Sequence, residues 1–184
     1  MKKKVILHVG YPKTASTTLQ NNLFYKLYRD GEIGYLGKTE KKGDRESIYY
    51  PMLNERSSIL SLDNHDFISN FNSIKEKISD LINNQINDVV ILSDEVLIET
   101  RYSYKIYKDT FVTAERIKKV FSGHDVEVII LLRNQKTIIY SFYVEAYAVH
   151  ENLLYLNSFT KYLNYGLENK HNSELAMYYY DKVV

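Results

Sequence analysis

Three short runs of aliphatic and β-branched residues, Val5 to Val9, Val89 to Leu92 and Val126 to Leu132, lack the strict apolar–polar alternation of a half-exposed strand. Continuous apolar runs of this length fit strands covered on both faces, as in a parallel sheet. Each run is followed by a polar turn and a helix-length segment. About Ala15 to Arg29, Leu19, Leu23, Leu27 and Phe24 gather toward one face. From Asp66 to Asn84, Phe67, Phe71, Ile74, Ile78, Leu81 and Ile82 recur with helical spacing, and Asp63 or Asn64 suits the cap. Thr113 to Ser122 predicts a third helix ending at Gly123, a residue suited to the position after a helix. A fourth runs from Gln135 to His150, with further helix from Tyr155 to Leu167 and near Glu174 to Tyr180. Strand, turn and helix repeated three times predict an α/β three-layer sandwich on a central parallel sheet, in one domain over residues 1–184. Ligands of such folds sit at the carboxyl ends of the strands. Between Asp30 and Leu62, Gly31, Gly34, Gly37, Gly43 and Pro51 stand among many charges, which predicts a long excursion with a short strand at Ile33 to Leu36.

Composition narrows the function classes only a little. The formal net charge is +1, so any anion site must be local. With no cysteine, disulfides and thiolate metal sites are excluded. The apolar run behind the basic start is too short for a signal-peptide core or a membrane span, which makes the cytoplasm the default expectation. The 18 tyrosines and the absence of tryptophan fit biased base composition of the coding DNA.

Chemistry concentrates in the turns. After the first run comes "GYPKTASTTLQ", where a helix starts near Ala15 or Ser16. The free amides and dipole of a first helical turn favour an anion. Lys13 adds a full charge, and Thr14, Ser16, Thr17 and Thr18 add hydroxyl donors. The plain alternative is an ordinary cap in a polar turn. The Walker pattern, with lysine directly before Ser/Thr after a glycine-rich run, is not present. The stretch resembles the 5′-phosphosulfate loop of sulfotransferases that use 3′-phosphoadenosine 5′-phosphosulfate (PAPS), commonly PKTGTTxLQ. Pro12, Lys13, Thr14, Ser16, Thr17 and Thr18 match it in order, and Ala15 stands at the usual glycine.

The third run ends in "LRNQKTIIYSFYVEAY". Arg133 at a strand end can grip a phosphate bidentately, and Ser141 lies about two helical turns further on. Alternatively the arginine merely closes the strand and the serine faces solvent. The stretch resembles the 3′-phosphate motif of the same family, RNPxxRxxSxY, with Arg133, Asn134, Ser141 and Tyr143 aligned. Gln135 replaces the proline, and the second arginine falls on Ile138.

The second run ends in Ser93, Asp94 and Glu95, carboxylates able to supply a general base or to cap the next helix. Bacterial sulfotransferases resemble it with Ser-x-Glu at this place, which implies Glu95 as base and Ser93 as a contact to cofactor or base, with Asp94 the competing carboxylate. His8, inside the first strand, reads as a core histidine, and His124 as lying at the far edge of the sheet. No His/Asp/Glu cluster has metal-ligand spacing. Arg101, Tyr102, Tyr104, Lys105 and Tyr107 form either a sugar-stacking, basic surface or a solvated connector.

What the resemblance implies is a P-loop NTPase-like, sulfotransferase-like fold. It implies PAPS as donor and 3′-phosphoadenosine 5′-phosphate (PAP) as product, no required metal, and a carbohydrate or glycolipid acceptor. Lys13 and Glu95 would be catalytic. Pro12, Lys13, Thr14, Ala15, Ser16, Thr17, Thr18, Ser93, Arg133 and Ser141 would hold the cofactor. Relatives continue past this helix into a segment covering the adenine, whereas this chain stops at "YYYDKVV", which implies a shortened carboxyl-terminal part. The rival classes are a P-loop nucleotide kinase or NTPase and a non-catalytic nucleotide-binding remnant.

Overall fold

The computed structural model describes residues 2–10, 13–37, 62–94, 110–150 and 157–168. In chain order they form β1 (Lys4–Gly10), α1 (Ser16–Leu19), a π-helical segment (Gln20–Phe24), α2 (Tyr25–Arg29), β2 (Gly34–Tyr35) and α3 (Asn64–Asn83). Then come β3 (Val89–Ser93), α4 (Thr110–Val120), β4 (Asp125–Leu131), α5 (Gln135–His150) and α6 (Phe159–Glu168). The expected helix near Glu174 to Tyr180 lies outside the described residues.

The four strands are parallel, in the order β2-β3-β1-β4. On β1, Val5, Leu7 and Val9 face one way, joining Val90 and Leu92 of β3 against Phe67, Ile74, Ile78 and Ile82 of α3 and Val120 and Phe121 at the end of α4. On the opposite face Ile6 and Ile91 meet Leu19, Phe24, Tyr25 and Leu27. Helices therefore cover both faces, and both faces of β1 must be apolar. That is why its sequence does not alternate.

Local chemistry sets the helix ends. Asp63 caps α3 by accepting from the Asp66 amide at 2.7 Å. The buried stripe Phe67, Ile74, Ile78, Ile82 holds α3 to the sheet, and cutting one isoleucine to alanine costs about 2–5 kcal/mol. Gly31, at φ 77°, closes α2: its amide reaches Tyr28 O, and the Glu32 amide reaches Leu27 O. Gly123 was the glycine expected to do this after α4. It lies in the turn but outside the left-handed region. Arg116 on α4 is buried and donates to Leu62 O at 2.7 Å and to Asn64 Oδ1 at 2.8 Å, which ties α4 to the start of α3.

The strand at Asp125–Leu131 departs from expectation. It is parallel, but among the described residues it is an edge strand, paired only to β1. Val128 (56% exposed) and Ile129 and Ile130 (43% each) stand in solvent. An apolar run reports what a strand tolerates on its faces and says nothing of its position in the sheet. No described helix is long and apolar enough to cross a membrane.

Candidate functional site

Parallel register brings the three motif-bearing strand ends together. Gly10 of β1 is level with Leu131 of β4, and His8 with Ser93 of β3, so the turns leaving all three strands emerge at one end of the sheet. The continuation of β1 packs on one face of the sheet, and α4, the next described element after β3, packs on the other. A crevice opens between neighbouring strands whose chains leave toward opposite faces, and ligands of α/β folds use it.

Lys13 and Arg133 meet here. Arg133 Nη1 donates to the Lys13 carbonyl oxygen at 2.9 Å, joining positions 120 residues apart. The Lys13 ammonium in turn contacts Glu145 Oε1 of α5 at 3.0 Å, with both side chains partly in solvent. Glu145 escapes a reading by motif, because only the packing of α5 against the loop brings it to the lysine. Ser141 lies on the same helix and is half-buried. Ile138, where the resemblance places a second arginine, is fully buried and makes no anion contact. Tyr143 packs among Tyr147, Phe159 and Tyr162, with ring centroids 5.4–5.7 Å away, and so joins α5 to α6.

The loop itself has an unusual backbone. Lys13 and Ala15 take φ of 67° and 66°, the left-handed region where a side chain is disfavoured. Ala15 is the cap of α1, with no side-chain cap bond, and its carbonyl accepts from the Thr18 and Leu19 amides at 3.0 and 3.2 Å. Ser16 turns inward, buried, with its Oγ 3.2 Å from Thr14 Oγ1. A Cβ on Gly10 would stand 3.0 Å from both hydroxyls and 3.3 Å from Leu131 Cβ, so glycine at this strand end makes room for the loop to fold back. Thr17 and Thr18 are exposed, outward on the first turn of α1.

No protein-family model, curated protein or solved structure matches this chain.

Behind the loop lies a buried polar group. Ser93 Oγ is 2.7 Å from His8 Nδ1 and accepts from Gln20 Nε2 at 3.0 Å. The Asp94 amide donates to His8 O at 3.0 Å, and Asp94 is buried too. Burial pushes the His8 imidazole below its ordinary range, so it is neutral near pH 7, and the same cause pushes the Tyr35 phenol up. His8, expected as a core histidine, is in the core and edge-on to Phe24, with centroids 5.1 Å apart. His124 stands in the turn before β4, at the amino end of the sheet, opposite the site.

Pro12, Glu95 and the stretch from Arg101 to Tyr107 lie outside the described residues. Spacing along the chain shows no metal set, yet folding brings ligand atoms of Asp63, His65 and Asp66 within 4.8 Å of one another. All three are exposed, and the Asp63 carboxylate already caps α3.

Proposed function

We propose that this protein is a sulfotransferase that moves a sulfuryl group from PAPS to a hydroxyl or amine of a carbohydrate or glycolipid acceptor, releasing PAP. The observation that carries it is the contact between Arg133 and the Lys13 carbonyl, which sets the two motif-bearing turns side by side at one crevice. A donor with phosphate at both ends of one adenosine needs two cations on one face, and Lys13 and Arg133 supply them. The exposed hydroxyls of Thr17 and Thr18 and the start of α1 suit a 5′-phosphosulfate. Ala15 shapes that loop. Arg133 and Ser141 take the 3′-phosphate.

Transfer of this kind passes through a loose, in-line transition state, so positioning and charge stabilisation do most of the work. Lys13 offsets the charge that grows on the bridging oxygen as its bond to sulfur breaks. Glu95 accepts the proton of the acceptor group as the new bond to sulfur forms. Ser93 supports the loop from beneath, since its hydroxyl is buried and bonded to His8 and Gln20.

Calorimetric titration with PAP, and separately with Mg-ATP, tests the proposal, followed by a transfer assay from PAPS to a panel of glycans. PAP binding with transfer is expected, and Lys13→Ala should lower turnover by about 10²–10³ with an unchanged melting profile. Preference for ATP would move the protein to the kinase class. PAP binding without transfer to any acceptor would make it a nucleotide-binding module.

A further inference from the structure

Three separate elements converge on the Ser93 hydroxyl: β1 through His8, the π-helical segment through Gln20, and β3, which carries it. A hydroxyl offers one hydrogen and two lone pairs, and His8 and Gln20 take two of these three places. Ser93 and His8 are at most 1% exposed and Gln20 2%. A group this enclosed is closed to a ligand, and its function is internal.

What it holds is read from its position. Gln20 directly follows α1, whose first turn is the anion loop, and it belongs to a π-helical segment, a rare geometry. Five residues before Gln20, Ala15 holds a backbone conformation that its side chain disfavours, and Lys13 does the same. Such conformations persist only when the surroundings over-determine them. His8 adds a second indication. Its Nε2 is buried without a hydrogen-bond partner among the described residues, which is a cost that a leucine would avoid. The compensating gain is its Nδ1 contact to Ser93.

We infer that His8, Ser93 and Gln20 form a positioning device that pins the helix after the loop to the β1–β3 crevice and thereby keeps Lys13 and Ala15 in the anion-binding conformation. The inference borrows only its ligand, PAP, from the proposed function.

Two measurements on the full chain test it. Hydrogen exchange of the amides of residues 13–19 should quicken at least tenfold in Ser93→Ala and in Gln20→Met, which cuts the same link from the other side. Exchange in β1 and β3 should stay slow. His8→Leu should behave likewise, whereas His8→Asn, which keeps an amide group near the Nδ1 position, should stay close to wild type. In PAP titrations Ser93→Ala should lose at least tenfold in affinity. Adding Ala15→Gly, which removes the backbone penalty directly, should recover most of that loss and so raise PAP affinity by a clearly larger factor in Ser93→Ala than in the wild type. A device that serves packing alone would let Ala15→Gly alter both backgrounds equally, and that result overturns the inference. So does wild-type exchange of the loop in folded Ser93→Ala and Gln20→Met. A wild-type chain that ignores PAP sinks the sulfotransferase assignment instead and leaves the exchange data to decide the positioning role.

Discussion

Ala15 occupies a left-handed backbone position, φ 66°, and is exposed, so its side chain brings little packing to set against the conformational cost. Glycine there removes the Cβ clash but frees the unfolded chain, and the balance favours glycine. Ala15→Gly should stabilise the protein by about 1 kcal/mol, seen as a melting-temperature rise of about 2–4 °C. Lys13 is held by a neighbouring carboxylate, and an incoming anion must displace Glu145 to reach it. An exposed ion pair is worth about 0.2–1 kcal/mol. Glu145→Gln should therefore tighten PAP binding by roughly two- to fivefold at low salt, and the gain should fade as added salt screens the pair. An unchanged affinity at low salt would show that the carboxylate does not compete. The cations of the site were legible in the sequence because both sit at strand ends within motif-like turns. Glu145, Gln20 and the His8–Ser93 contact were not, since each depends on partners 73 to 132 residues away that no local pattern records.

Helix α5 shows how one element is anchored. Among its described side chains Ile138 is the fully buried one, while Arg133, just before the helix, reaches across to the loop. Ile138→Arg would place at this position the second arginine of the resembling motif. It would also force a charge into a site that excludes solvent, so a loss of about 3 kcal/mol or more in denaturant unfolding is expected, with no gain in PAP affinity. Retained stability with tighter binding would show that the helix can turn this face to the ligand. The extent of α5, 135 to 150, was as expected, and the helix expected from Asp66 to Asn84 with Asp63 or Asn64 as its cap is found at Asn64–Asn83, capped by Asp63. The π-helical turn was not expected, because no local pattern of residues marks it. The exposure of β4 was equally hidden, since strand order depends on which runs find each other.

At the scale of the whole molecule, two buried histidines link stability to pH. Burial lowers the affinity of His8 for protons, and for His124 burial acts together with the nearby charges of Lys2 and Lys75. Both groups fall below their ordinary value of 6.5, so the unfolded chain binds protons that the folded one refuses. Their contribution is complete above that pH and is lost as pH falls through the folded values, by at most about 1.4 kcal/mol per pH unit for each histidine. Urea midpoints should fall as pH drops below 6.5, before carboxylates titrate, and His8→Asn should flatten part of that slope. A midpoint that stays level to pH 5 would contradict it. The helical stretch after the loop holds a further consequence. A π turn spends one residue more than an α turn for nearly the same advance, so 20–24 carries slack of a single residue. Shortening the chain by one at outward-facing Asn22 would let the stretch relax to ordinary helix with its two ends still in phase. The same deletion outside 20–24, in the flanking α-helical turns, would swing the loop-bearing end away from the sheet.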